Sequence, residues 1–256
     1  MKAILTRFNG TLYVCRDPEH AGKIGYNILA GLISPYSGAP CILFATGNSP
    51  KPFYREVVRR TRSDHRPPLT ACNGFNMDSF SLGEEDPYHR EMEHNLYGPL
   101  AGHVDFQSRM FPNAGNFARY DEEIAGKGGF VFGVIGIGPN AHIGFCEPGS
   151  DPDGLTSKVT LTEESRRHND ALFGGDWTSV PETAYSVGLK TVRQIPQLVM
   201  FAFGQAKVEP VFNAFCRDAS PAVPASSLAE HGGLNLVIDD ELFHGLVARA
   251  SIDPRQ

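Results

Sequence analysis

The run Gly129-Phe130-Val131-Phe132-Gly133-Val134-Ile135-Gly136-Ile137 constrains this chain more than any other stretch. It has no polar face and is too short for a core helix, so it reads as a strand buried on both sides. Such a strand needs a layer of structure on each face. Cys41-Ile42-Leu43-Phe44-Ala45 has the same character, and Leu69 to Met77, Leu198 to Phe203 and Leu234 to Ile238 read as further strands. Helical stretches fall between them: Asp17-Pro18 onward, the segment through Arg60, His89 to Leu96, Ala118 to Ala125, and Gln205 to Cys216. Asp17 is placed to cap the first of these, with Pro18 at its first turn and Ser34-Pro35 ending it. Ile24, Ile28, Leu29, Leu32 and Ile33 supply its apolar face. The alternation predicts an α/β fold, doubly wound and Rossmann-like, with a mainly parallel central sheet flanked by helices. Lys2 to Thr6 and Leu12 to Cys15 read as a hairpin about Asn9-Gly10. Pro and Gly are scattered and no linker stands out, so residues 1–256 are expected to form one domain.

Bulk properties narrow the function. A net charge of -6 argues against nucleic acid as a partner and leaves anion binding to a local cluster of donors. The five cysteines, Cys15, Cys41, Cys72, Cys146 and Cys216, form no CxxC pair, so neither a disulfide framework nor a cysteine zinc site is expected. Free thiols, an apolar N-terminal run too short for a signal peptide, and no membrane-length apolar segment point to the cytoplasm. The oligomeric state is not written in the sequence; a homo-oligomer is compatible with it.

In open parallel sheets ligands sit at the carboxyl ends of strands. Three such ends carry chemistry. Thr46-Gly47-Asn48-Ser49-Pro50 follows a strand and precedes a helix. Free amides and hydroxyls there suit an anion, although taken alone the loop is better explained as a plain strand-to-helix turn with Ser49 as N-cap and Pro50 behind it. Asp78 ends another strand, as a helix cap or as a base facing the crevice. Gly136-Ile137-Gly138-Pro139-Asn140-Ala141 matches GxGxxA, but Pro148-Gly149-Ser150-Asp151-Pro152-Asp153-Gly154 follows where a dinucleotide fingerprint needs a helix. What remains is a loop carrying Asn140, His142, Cys146 and Glu147, a plausible acid–base unit. Cys146 reads as a small packed residue. His89, Glu91, Glu93 and His94 read as a solvated helix face, and Arg166-Arg167-His168 as an exposed run.

FATGNSP, FNMD, GVIGIGPNAHIGFCEPGS, TAYSVGLKTV and Gly204-Gln205-Ala206-Lys207 occur in an order and spacing that resemble the glucosamine-6-phosphate and galactosamine-6-phosphate deaminase (isomerase) family. The similarity runs from about Asp17 to about Asp239. It implies conversion of an amino-sugar 6-phosphate to a ketose 6-phosphate with release of ammonia and no redox cofactor. Asp78 then matches the carboxylate that carries a proton between C2 and C1, His142 the ring-opening acid–base, and Glu147 its carboxylate partner. Thr46, Gly47, Asn48 and Ser49 match the phosphate loop, Gly138 lies with the substrate-binding residues, and Lys207 matches a phosphate-binding lysine.

Two departures bear on this reading. Asn140 and Ala141 stand where the common motif has Asp and Gly. Asn140 is expected to accept the His142 ring N–H without bringing charge. Ala171 stands where a helix would offer the phosphate an arginine. Asn140, Gly144 and the Ala222-Val223-Pro224-Ala225-Ser226-Ser227-Leu228 segment resemble the galactosamine branch, whose product would be tagatose 6-phosphate. Two rival readings are a 6-phosphogluconolactonase-like hydrolase and a non-catalytic sugar-phosphate sensor.

Overall fold

The computed structural model describes residues 5–34, 38–63 and 69–252. Its centre is a seven-stranded sheet in the order β1 (Thr11–Cys15), β10 (Leu234–Asp239), β9 (Leu198–Ala202), β6 (Phe130–Gly136), β2 (Cys41–Phe44), β3 (Ala71–Asn76) and β5 (Asp105–Met110). Every neighbouring pair is parallel. The side-chain period of two divides the core between the faces. In β2, Cys41 and Leu43 point to one face and Ile42 and Phe44 to the other; in β9, Leu198, Met200 and Ala202 oppose Val199 and Phe201.

Helices cover both faces, as two-sided burial requires. Helices α1 (Pro18–Ile33) and α2 (Lys51–Ser63) pack on the face of Ile42 and Phe44 through Tyr26, Leu29, Phe53 and Val57. Helices α4 (Tyr120–Gly126), α6 (Leu189–Arg193), α7 (Val208–Cys216) and α8 (Asp240–Ser251) cover the other. Asp17 caps α1 as expected, its carboxylate accepting the His20 amide at 2.6 Å. Pro35, the expected stop, lies outside the described residues.

The chain builds β2, β3 and β5 toward one edge, then returns to place β6 on the other side of β2. The topological switch point therefore falls between β2 and β6, where a crevice opens at the strand ends. A second, antiparallel sheet of β4 (Asp78–Ser79), β8 (Thr183–Ser186) and β7 (Ser157–Thr160) lies beyond those ends. Phe80, Tyr88, Phe145, Leu161, Val180 and Ala184 form a separate apolar cluster beside it.

The described part of the expected hairpin has a different structure. Lys2 to Ile4 lie outside the described residues, Thr6 and Arg7 form a turn, and Thr11–Cys15 pairs in parallel with β10. Gly10 serves close packing instead of a hairpin turn: a Cβ there would lie 2.0 Å from the Leu234 carbonyl oxygen. Strand β5 escaped notice because it is an edge strand, DFQSRM, with exposed and half-buried residues alternating. No helix among the described residues is long and apolar enough to cross a membrane.

Candidate active site at the sheet switch point

The loops after β2 and β6 meet at the switch point and enclose a cavity of about 140 Å³. Thr46, Gly47, Asn48 and Ser49 line it from one side, and Gly138, His142, Gly144 and Phe145 from the other. Asp78 enters from β4, Tyr88 from α3 (Pro87–Met92), His168 and Asn169 from the end of α5 (Glu163–His168), and Lys207 from the turn after β9. The Thr46–Ser49 loop, Asp78, Gly138, His142 and Lys207, all singled out in the sequence, thus share this one cavity. Glu147 and Asn140 stand behind His142 without lining it.

Asp78 is 5% exposed. Burial raises its carboxyl to about 8, with the Asp86 charge adding to the shift and the Thr46 hydroxyl, donating at 3.4 Å, opposing it. Asp86 is itself buried and caps α3, accepting the Ser79 hydroxyl at 2.9 Å and the Tyr88 amide at 2.9 Å. Asp78 is a sheet residue paired with Ser186, so it caps no helix.

His142 is held close above Gly138. A Cβ on Gly138 would lie 2.2 Å from His142 Nε2, so only glycine leaves the imidazole room. Nδ1 lies 3.8 Å from Glu147 Oε2, beyond hydrogen-bond reach, and has no other partner although buried. Burial lowers the imidazole to about 4; Glu147 works against that, and His168 and Lys207 add to it. His142 is therefore neutral at pH 7.

The expected role of Asn140 changes. Its carbonyl oxygen accepts the backbone N–H of His142 at 3.2 Å, and its amide donates to Glu147 Oε2 at 3.1 Å. It touches the carboxylate and the loop backbone, leaving the His142 ring N–H alone. Thr162 donates to the other Glu147 oxygen at 3.3 Å. Ala141 next to it sits at φ 63°, a left-handed backbone that suits the glycine of the common motif. Cys146 is buried, donates to the Val187 carbonyl at 3.3 Å, and is pushed up to about 12 by burial, which fits a packed, inert thiol. No helix follows β6 before α5, in line with the absence of a dinucleotide loop.

Lys207 donates to the Ile137 carbonyl at 2.8 Å, and burial lowers its ammonium below the ordinary lysine range. Ala171 is exposed in a short 3₁₀ turn after α5. Sequence reasoning passed over three groups. Glu91, assigned to a solvated face, is half-buried and accepts the Gly47 amide at 2.6 Å. Tyr88 lies on the cavity wall; its signal was Asp86-Pro87, a helix start soon after Asp78. His168 reaches the cavity from a run that looked merely charged.

Fold and site together define a parallel α/β protein with a raised carboxyl, Asp78, and a neutral imidazole, His142, in one cavity at its switch point. The same architecture occurs in the solved 6-phosphogluconolactonase from Leishmania guyanensis, at a TM-score of 0.67 and 15% identity over 93% of this chain and 99% of that one. A solved monomeric glucosamine-6-phosphate deaminase is nearer, at a TM-score of 0.80 and 26% identity over 92% of this chain and 99% of that one. The glucosamine-6-phosphate deaminase of Latilactobacillus sakei is 30% identical over 88% of this chain and 94% of its own length. That of Listeria welshimeri is 32% identical over 77% and 83%. The chain belongs to the glucosamine-6-phosphate deaminase family. No protein-family model matches it.

Proposed function

We propose that this protein converts glucosamine 6-phosphate and water to fructose 6-phosphate and ammonia. The observation that carries this reading is a buried carboxylate, Asp78, raised to about 8 in the same cavity as a neutral imidazole, His142. Family membership favours it over the lactonase, whose solved structures share only the fold, at 12% to 19% identity.

The sugar phosphate is held by the Thr46–Ser49 loop amides and hydroxyls and by Lys207, which fixes the reacting carbons. Neutral His142 moves a proton between the ring oxygen and the C1 hydroxyl, opening the ring to the aldehyde. Glu147 lies behind Nδ1 and stabilises the transient imidazolium. Asp78, as carboxylate, removes the C2 proton; the C2–H electron pair forms the C1–C2 double bond of an enolamine, and the C1 carbonyl oxygen becomes a hydroxyl by taking a proton from the substrate ammonium. Asp78 returns that proton to C1 on the same face. The nitrogen is then an iminium at C2; water adds there, the C–N bond breaks, and ammonia leaves with the ketone formed. The substrate ammonium entering the pocket offsets the cost of a buried carboxylate.

The test is ammonia release from purified protein, with deuterium incorporation at C1 in heavy water. Incubation with glucosamine 6-phosphate, galactosamine 6-phosphate and 6-phosphogluconolactone separates the readings. Lactone hydrolysis without ammonia overturns the deaminase. Faster turnover of the galactosamine ester moves the product to tagatose 6-phosphate. Binding of the sugar phosphates with no C1 exchange makes the protein a sensor.

A further inference from the structure

The end of α5 is anchored on both sides of His168. Thr162 caps the helix, its hydroxyl accepting the Ser165 amide at 3.1 Å. Arg166 donates to the Val180 and Thr178 carbonyls, each at 3.0 Å. Asn169 is buried, accepts the Tyr88 hydroxyl at 3.0 Å, and donates to the Ser165 carbonyl at 2.9 Å. His168, between these fixed neighbours, keeps a solvent-exposed side yet lines the same cavity as Lys207 and the Thr46–Ser49 loop. Lys207 spends one N–H on Ile137, which leaves two donors for a ligand.

We propose that His168 is a second cationic anchor for the substrate phosphate, working with Lys207 and the Thr46–Ser49 loop, so that phosphate capture strengthens as His168 takes up a proton. This rests on the sugar-phosphate reading above. Lys207 faces His168 from the turn after β9 and His142 from the loop after β6, while Glu164 lies on α5 itself and Asp170 just beyond it. Partial burial and the Lys207 charge hold the empty-site imidazole below its ordinary value, against the pull of Glu164 and Asp170. A bound dianion cancels the effect of Lys207. Anion binding and protonation of His168 therefore favour each other reciprocally. His142, held at about 4, stays neutral above pH 6 and adds no titration there.

Sulfate is the cleanest probe, because it stays dianionic between about pH 6 and about pH 8. Calorimetric titration of the full chain should show sulfate affinity falling about tenfold across that window. In His168→Gln the slope should shrink to about twofold, with the pH 6 affinity reduced to within about twofold of the wild-type pH 8 value. His168→Arg should bind tightly at both. For glucosamine 6-phosphate turnover, His168→Gln should raise KM at pH 6 with kcat little changed. An unchanged slope in His168→Gln overturns the proposal, as does a lowered Tm or kcat with that slope intact, which marks a structural role. Absence of sulfate and sugar-phosphate binding at every pH overturns the phosphate reading and this proposal with it. Sloped sulfate binding without ammonia release upholds His168 and overturns only the deaminase.

Discussion

Glu91 accepts the backbone N–H of Gly47 at 2.6 Å, inside the loop proposed to bind phosphate. The same carboxylate lies 3.7 Å from Lys51, which also donates to Asn48 at 2.8 Å. An internal anion thus occupies one of the amides an incoming phosphate would use, and the two compete. Glu91→Gln keeps the shape and an acceptor but removes the charge. The expected result is a KM for glucosamine 6-phosphate lowered about three- to tenfold with kcat nearly constant, since a charged hydrogen bond exceeds a neutral one by about 1 kcal/mol. Steady-state ammonia release reads this directly. A raised KM would mean that Glu91 supports the loop and does not compete for it.

Asp78→Asn should abolish hydrogen exchange at C1 and lower kcat by about a thousandfold or more while sugar-phosphate binding persists. The pH dependence follows from the raised carboxyl. Asp78 works as a base only when ionised, and in the free protein it ionises near 8. The rate kcat/KM should therefore climb through that pH, and a flat profile from pH 6 to 9 would remove Asp78 as the base. Stability runs the other way. A carboxyl raised on folding binds more protons folded than unfolded, so its contribution falls as pH rises from about 4 to about 8. Asp78→Asn should consequently melt higher than wild type at pH 8, by on the order of 2 kcal/mol, with little difference at pH 4.

Gly138 and Gly144 separate catalytic from structural loss. A methyl at 138 collides with the His142 ring, whose displacement by about 1 Å should cost roughly a hundredfold in kcat. A methyl at 144, where φ is 56°, would lie 2.6 Å from Met77 Cε and 2.9 Å from Ser186 Oγ. Left-handed strain and overpacking together cost about 2–4 kcal/mol. Thermal melts should accordingly rank Gly144→Ala well below Gly138→Ala, and activity at a temperature where both are folded should rank them the other way. Equal Tm losses would remove the distinction.

These positions show what a linear reading reaches. The β2 and β6 runs announced themselves because strands buried on both faces carry no polar residue, and their glycine- and asparagine-bearing loops fall at the switch point as parallel topology dictates. Asp78 was found at the right place but in the wrong element, since a two-residue strand leaves no periodicity to read. Glu91 was missed because its partner Gly47 is 44 residues away, and a charged residue on a short helix looks alike whether it faces water or a loop. His168 was hidden for the same reason within Arg166-Arg167-His168. Asn140 was located, but the partner of an amide follows from side-chain direction, which spacing does not encode.

Asn140→Asp tests that last contact. In the wild type the Asn140 amide donates to Glu147 Oε2 at 3.1 Å, holding the carboxylate behind His142. An aspartate there loses the donor and sets two carboxylates against each other, while bringing a second negative charge near an imidazole that burial lowers to about 4. Nearby negative charge stabilises the imidazolium, so the His142 value should rise, by about one unit for roughly 1.4 kcal/mol of added interaction. Ring opening needs the neutral ring, and the acid limb of the pH–rate profile should move up correspondingly. Activity near pH 5 should then fall more than activity near pH 8. Proton NMR titration of the His142 ring measures the shift independently of turnover. If the ring value stays put while activity drops at all pH, the Asn140–Glu147 hydrogen bond acts through loop geometry, and charge plays no part.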